Sequence, residues 1–544
     1  MPKLSLKIEF GILSFLLIFN VLVAIYDITN PGIQYDEVNN ACGTIALLKK
    51  GTGFYSPVSI PFFGRLLPLM CVPYHPSLES YLLIPSFLLF NISVFALRFT
   101  PIMYGLFTLL LTYAFAKQFF SRSVALITML LLATNPLFIF LTKIGNWTSS
   151  YQTFFAMAVL CSFLSWYRGR GFVYYLLGTF FLGLGLGTRG WFIIVVAGVI
   201  VAAMVFYKEI VARIKADKCK SPLVFLCLGF VSFCVGNLLF IYANFINTQS
   251  RFITFKWIAG CLRHTSFGID NLDYARNLWL RLHTFWELLG QNPQNIIFLS
   301  SAPVNKWYVY GFIFSIVWLV LSLFFKQERW PPKKRVLLVL VFLTSAILTS
   351  PFTVSFFQAQ HLFSLLPIIA IIISAGLVTA SRFFIRKAIK IFVRLAVTAF
   401  LIFLAAGNMR GITRWYALAE RTGGTGEWSN AIYSLADWIK RDRHSLIFAF
   451  NQGYERVIFF LLEGSENIRG LYHEDYAQYV NNIVSFCNYK YSKLYRFCGK
   501  DGPPEKEQFD IVKKTVASLG KALIEEKVFY QRDGAPAYCV YSVK

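Results

Sequence analysis

Apolar residues fill this chain in unbroken runs rather than in stripes. Between residues 9 and 407 the runs recur without a polar face, and many are about 17 to 25 residues long, enough for a helix to cross a bilayer. A surface helix of a soluble domain would instead carry an apolar stripe opposite a polar one. The pattern predicts about eleven spans, at roughly 9–27, 99–116, 123–141, 151–167, 172–187, 190–207, 223–243, 308–325, 336–350, 362–380 and 391–408. The stretch 172–207 reads as a hairpin broken by GLGTRG at 185–190. MPKLSLK and its following run read as an uncleaved first span, because the run is long and lacks a small-residue cleavage site.

Beyond about residue 411 the pattern changes. EWSNAIYSLADWIKRD has helical periodicity, with Ile432, Leu435, Ala436 and Ile439 on one face. SLIFAF reads as a short strand, QFDIVKKTVASLGKALIEE as a second helix, and KVFYQRDGAPAYCVYSV as a closing hairpin turning at Asp533–Gly534. The expected organisation is a polytopic α-helical transmembrane domain, 1–410, followed by a small soluble α/β domain, 411–544.

Charge orients the spans. The chain carries a formal net charge of +25, which in a membrane protein points to cytoplasmic loops and anionic lipid rather than to nucleic acid. Basic clusters stand at Lys3/Lys7, Lys117/Arg122, Arg168/Arg170, Lys208–Lys220, Lys326–Arg335 and Arg382–Lys390. All fall on one side only if SLESYLLIPSFLLFNISVFAL, residues 77–97, lies at the interface instead of spanning. Its Glu79, Pro85 and Asn91 favour that placement. The N-terminus is then cytoplasmic. The outer face receives the loop 28–98, the corner 141–150, the loop 244–307 and the C-terminal domain. The ten cysteines show no CxxC metal spacing. Cys42 with Cys71, and Cys487 with Cys498, share outer regions where disulfides can form.

Ionisable groups at the membrane edge are the candidates for chemistry, because they are expensive to keep there. Asp36 and Glu37 follow the first span. Neighbours on a chain point in different directions, so one acid faces a site and the other supports it. His75-Pro76 ends the first loop. Lys143 and Asn146 stand at the corner after the third span. Arg251, Lys256, Arg263, His264, Arg276, Arg281 and His283 make the loop 244–307 basic on the side where the positive-inside rule does not ask for it, as an anionic substrate would require. Gln358, Gln360 and His361 open the tenth span.

These stretches together resemble the GT-C membrane glycosyltransferases, and more narrowly their protein O-mannosyltransferase and lipid A aminoarabinose transferase branch. HPSLESYLL, FALRFTPIMYG, KQFFSRS and the apolar run ending at NPLF follow that branch's order of motifs across 75–141. Tyr35-Asp36-Glu37 matches its acidic motif, GLGLGTRGWFII its glycine-rich span ending in a basic residue, and QAQHLFSLLP its late element. The similarity covers most of 9–407. One departure stands out: KIGNWTSS keeps a basic residue, Lys143, but offers Asn146 and Thr148 where the family often has an acid.

The resemblance implies a sugar donor linked to polyprenyl phosphate and used on the outer face, and the short N-terminus and compact loops point to a bacterial inner membrane. A lipid phosphate leaves readily, so the transfer needs one base for the acceptor hydroxyl and cations for the phosphate. A glycosidase would need two opposed carboxylates. Asp36 is the expected base, with Glu37 second. Lys143, Arg263 and Arg276 are expected at the phosphate. Tyr35, His75, Asn146, His264, Gln360 and His361 are expected to line the site. If a divalent metal takes part, Asp36 and Glu37 are its ligands. The acceptor is a glycan, lipid or protein hydroxyl. A transporter or flippase for a lipid-linked substrate is the alternative from another class, although no internal repeat is evident and the acids sit in a loop rather than mid-span. A polymerase or ligase using pyrophosphate-linked donors also remains open.

Overall fold

The computed structural model describes residues 5–49, 58–148, 150–217, 221–263, 269–290, 305–324, 332–353, 358–383, 387–442, 444–464, 467–471, 476–489, 491–498 and 503–544. Among them, six helices are long and apolar enough to cross a membrane: Leu6–Ile25, Val94–Phe119, Lys306–Phe324, Lys333–Phe352, Ala359–Phe383 and Ala388–Thr422. Three bent pairs bring the number to nine if each is one span. They are Arg122–Ala133 with Pro136–Lys143, Gly190–Val205 with Tyr207–Ala216, and Pro222–Gly236 with Leu238–Ile246. The other two expected spans are the helices Ser150–Tyr167 and Val173–Leu186. The first bend has a local cause. Asn135 caps the second half, accepting from the Phe138 N–H at 2.9 Å, and Pro136 opens that half where its missing donor costs nothing.

Residues 78–90 form two short helices, Leu78–Leu82 and Ile84–Phe90, ended by Asn91 at φ 57°. Thirteen helical residues reach about 20 Å, short of the ~30 Å hydrocarbon core. The two helices pack on the helices Tyr35–Leu48 and Val94–Phe119. The last long helix, Lys387–Thr422, runs through the boundary expected near 411. Its 36 residues extend about 54 Å, longer than the ~30 Å depth of a hydrocarbon core.

Buried polar ties set the register between spans. Glu9 is buried near the start of the first span and receives Tyr113, Lys117 at 2.8 Å, and Arg122. Asn20 donates to the Ala133 carbonyl, Asn408 to Thr134, and Asn305 to the Leu404 carbonyl and Asn408. A polar group in an apolar bundle is tolerated when it is satisfied in this way. The helix Leu366–Phe383 is buried over nearly its whole length and forms the centre of the bundle.

Two sheets lie between and after the long helices. In the first loop, β1 (Val58–Phe62), β2 (Arg65–Val72) and β3 (His75–Pro76) pair antiparallel in that order. The C-terminal unit holds β4 (Leu446–Ala449), β5 (Ile468–Gly470), β6 (Ser492–Phe497), β7 (Leu523–Tyr530) and β8 (Pro536–Val543), in the order β5-β4-β6-β8-β7. β4 runs parallel to β5 and β6, while β8 runs antiparallel to β6 and β7. Parallel neighbours need crossover connections; the helices Tyr454–Leu461 and Tyr476–Asn488 supply them.

The structure revises two expectations for this unit. The helix expected through 508–526 is Pro503–Ser518, closed by Gly520 at φ 68°, and Leu523–Glu526 belong to β7. Glycine there lets the chain turn left-handed and end the helix. The disulfide joins Cys498 to Cys539, with Cα atoms 5.9 Å apart. Strand pairing explains the choice, since Arg496 of β6 lies opposite Cys539 of β8. Cys487 is a buried free thiol in the helical core, and Cys42 and Cys71 are also free.

The C-terminal unit does not hang separately. Ile33, Val38, Ala41, Cys42 and Ile45 of the first outer loop share one buried core with Leu83, Phe87, Ala96 and Leu97, and with Ile432, Leu435, Tyr454, Val457 and Ile458 of the C-terminal unit. Each such side chain buried is worth about 1.5–3 kcal/mol, so the two parts are held together by the same force that holds each one.

Candidate active site

The site is built around the first turn of the outer helix Tyr35–Leu48. Gln34 caps this helix, accepting from the Asp36 N–H at 2.8 Å. Acidic residues in a first turn are favoured by the helix dipole, and here Asp36 and Glu37 diverge as neighbours on a helix must.

Glu37 turns inward. It is fully buried and its two oxygens take Arg98 Nε at 2.8 Å and Nη2 at 2.9 Å. Arg98 spends its remaining donors on the carbonyls of Ile28 and Pro31 at 2.7 and 2.8 Å, and of Gly32 at 3.2 Å. The pair ties the end of the first span, the loop after it and the helix beginning at Val94 into one piece. Expected as a second acid of the site or a metal ligand, Glu37 has its oxygens committed to holding the loop.

Asp36 stays half-buried. Tyr35 and Asn39 hydrogen-bond to its carboxylate, Asn39 through Nδ2 at 2.9 Å. Two guanidiniums face it, Arg189 from the GLGTRG break and Arg456 from the C-terminal unit. Burial pushes its carboxyl above the ordinary range, while the two arginines and the two hydrogen bonds pull it back. Asp36 in turn is the first cause, ahead of burial, that drives the Tyr35 phenol far up. A further acid, Glu427, receives Gln34 Nε2 at 3.2 Å; burial raises its carboxyl, and Asp36 adds to the rise.

Arg189 is held in place from several sides. Its Nη2 donates to the Asn146 carbonyl at 2.9 Å, and its own carbonyl accepts from Gln152 at 2.9 Å. Asn146 is itself pinned, donating to the Leu97 carbonyl at 2.7 Å and accepting from Tyr151 at 2.9 Å. His75 is buried with Nδ1 2.7 Å from the Cys71 sulfur and faces the Thr188 carbonyl. Burial first, and Arg189 second, hold His75 well below its usual range, so it is neutral at physiological pH. His361 lies tilted against Trp191 with centroids 3.8 Å apart and accepts from the Gln358 N–H at 2.8 Å; its charged neighbours include Arg189 and Arg281. Gln360 donates to Gln358 at 2.6 Å.

The structure thus gathers Asp36, His75, Asn146 and His361 around Arg189, with Tyr35 against Asp36 and Gln360 on Gln358. It takes Lys143 elsewhere. That ammonium is fully buried, donates to the Tyr26 and Asp27 carbonyls at 2.9 and 2.6 Å, and lies over the rings of Trp415 and Tyr416. Arg263 and Arg276 are exposed on the outer helices Ile253–Arg263 and Tyr274–Gly290. His264 lies outside the described residues. Arg281 stood among the basic residues of the loop 244–307, whereas Arg189, Arg456, Gln34 and Glu427 were not singled out by the sequence. GLGTRG, an arginine between two apolar runs, was a usable signal for Arg189. No local pattern marks Arg456.

One carboxylate set against two guanidiniums is suited to taking a proton beside an anionic group. Residues 74–236 match the model of the dolichyl-phosphate-mannose-protein mannosyltransferase family. Over nearly the whole length, the structure is similar to ArnT from Cupriavidus metallidurans bound to undecaprenyl phosphate, with a TM-score of 0.62, 12% identity and 97% of each chain covered. The fold is that of the GT-C membrane glycosyltransferases. The oligosaccharyltransferase AglB from Archaeoglobus fulgidus, solved with an inhibitory peptide and a dolichol-phosphate, is similar at a TM-score of 0.50 and 11% identity, covering 91% of this chain and 70% of its own. A comparison with curated proteins found no match. Within the GT-C fold the first outer loop, the GLGTRG break and the C-terminal unit converge on Asp36. Among the described residues, no three His, Cys, Asp or Glu side chains converge as a metal site would require.

Proposed function

We propose that the chain is an inverting membrane glycosyltransferase that moves a sugar from a polyprenyl-phosphate-linked donor to an acceptor hydroxyl on the extracytoplasmic face. The observation that carries the reading is the half-buried Asp36 carboxylate flanked by Arg189 and Arg456. In the reaction, Asp36 takes the proton of the acceptor hydroxyl as its oxygen bonds to the anomeric carbon. The bond from that carbon to the phosphate oxygen breaks on the opposite face, and polyprenyl phosphate leaves with the electron pair. Arg189 and Arg281, charged neighbours of His361, would bear the phosphate's negative charge, with no proton transfer needed there. The undecaprenyl phosphate bound to ArnT and the dolichol-phosphate in complex with AglB support a donor of this class.

A divalent cation fits this donor set poorly. The archaeal oligosaccharyltransferase was also solved with zinc and sulfate. Here Glu37 is committed to Arg98, and a metal on Asp36 would sit against two fixed positive charges. No step of the proposed transfer passes through a metal. The basic clusters of the sequence support a cytoplasmic N-terminus and a C-terminal unit outside a bacterial inner membrane.

The test is transfer of radiolabelled sugar from a panel of polyprenyl-phosphate-sugars into lipid, protein and polysaccharide fractions, wild type against Asp36→Asn at matched expression. Label present in wild type and lost in the variant is the expected result. Label unaffected by the substitution would remove Asp36 as the base. No label from any donor would overturn the function.

A further inference from the structure

We propose that the C-terminal unit completes the catalytic site, with Arg456 as a positioning residue that holds Asn39 and, through it, Asp36. The inference rests on the reading of Asp36 as the acceptor's base. Arg456 lies on the helix Tyr454–Leu461, which packs on the outer helix Tyr35–Leu48 within one shared core. Its Nη1 donates to Asn39 Oδ1, and Asn39 Nδ2 donates to Asp36 Oδ1 at 2.9 Å. An amide accepts at one end and donates at the other. With its oxygen claimed by the guanidinium, Asn39 can present only its NH₂ to the carboxylate. The guanidinium thereby sets the amide's orientation, and the amide sets the carboxylate's.

Two further contacts from the same unit surround Asp36. Gln34, which caps the Asp36 N–H, also donates to Glu427. Gly453, at φ 82°, comes so close to Tyr35 that a Cβ would lie 2.5 Å from the ring. The C-terminal unit therefore grips residues 34, 35 and 39, the three that define where Asp36 sits. A cap that only excluded water would need the shared apolar core and no such ties. The groups facing Asp36 are Arg189, Arg456, Tyr35, Tyr74, Cys71 and Glu427. Arg456 favours the charged carboxylate and Glu427 opposes it. Arg456 is also 3.7 Å from Glu455, so it keeps a charge partner inside its own unit.

The experiment uses the full chain in nanodiscs with two readouts. Carbodiimide labels only protonated carboxyls, so its reaction with Asp36, followed by mass spectrometry across pH, reports that group without requiring activity. Arg456→Gln should move the labelling midpoint upward by roughly 1 pH unit, the effect of removing one nearby cation, and Arg456→Lys should restore part of it. In the transfer assay, Arg456→Gln and Asn39→Ala should each lower kcat by on the order of 10- to 100-fold, the cost of a misplaced group, with the donor KM unchanged. Asn39→Ala keeps the interface and the arginine, so its kcat is decisive even if Arg456→Gln fails to fold. A wild-type labelling profile in Arg456→Gln, or a wild-type kcat in Asn39→Ala, would overturn the inference. A shifted midpoint in a chain that transfers no sugar would uphold the contact and reject the proposed function.

Discussion

Substitution of Glu37 separates architecture from chemistry at adjacent positions. Glu37→Gln keeps the shape and removes the charge. Arg98 would then be left with an uncompensated charge in a site of no solvent exposure. Removing one partner of a buried pair costs about 3–5 kcal/mol. Arg98 uses all five of its donors, two on Glu37 and three on the Ile28, Pro31 and Gly32 carbonyls. The loss should therefore fall on the loop that sets the outer helix. A Glu37→Leu/Arg98→Met double variant removes both charges but leaves those three carbonyls without their donor, so it should recover only part of the stability. The assay is thermal unfolding of the purified protein in detergent, paired with kcat per folded molecule. Large destabilisation with kcat per folded molecule retained within severalfold is expected. A variant as stable as wild type that has lost kcat would refute the reasoning and return Glu37 to the chemistry.

Asp36→Asn should behave in the opposite way. Net burial raises the Asp36 carboxyl, so the folded state holds that proton more tightly than the unfolded chain. Its contribution to stability is present at low pH and lost as pH rises through the folded value. The amide should thus abolish transfer while leaving thermal stability at neutral pH equal or higher, which a melting curve checks. For the same reason, kcat/KM should climb with pH along a limb set above the usual carboxylate range; a limb at the ordinary aspartate value would argue against Asp36 as base. Lys143→Met should lose about 1–3 kcal/mol for two orphaned carbonyls and leave the donor KM within about twofold of wild type, since its ammonium points at Tyr26 and Asp27; a large rise in donor KM would place Lys143 at the phosphate. Reduction of Cys498–Cys539, which closes a separation of 41 residues, should cost the C-terminal unit about 4 kcal/mol on the loop-entropy account, read as a lower unfolding temperature with dithiothreitol.

Much of the architecture was legible along the chain because bilayer crossing is a local demand. A run of apolar residues must become a helix wherever it stands, and lysines and arginines orient it. The same locality made the C-terminal helix at Ile432–Ile439 and the Asp533–Gly534 hairpin readable, and it brought Asp36 forward as an acid at the membrane edge. Partner choice is not local. Whether Asp36 or Glu37 faces the site depended on where Arg98 sits across the loop. Whether Lys143 meets a phosphate or two backbone carbonyls depended on the end of the first helix and on Trp415. Arg189 carried a weak sign in GLGTRG, and Arg456 carried none, because its helix reaches Asp36 only after the C-terminal unit buries its apolar face on the first outer loop. The sequence by itself determined which segments become long apolar helices and which acids follow the first of them. The packing of distant elements decided which charge meets which, because electrostatic partnership follows distance in space and burial, and neither is written in any window of the chain.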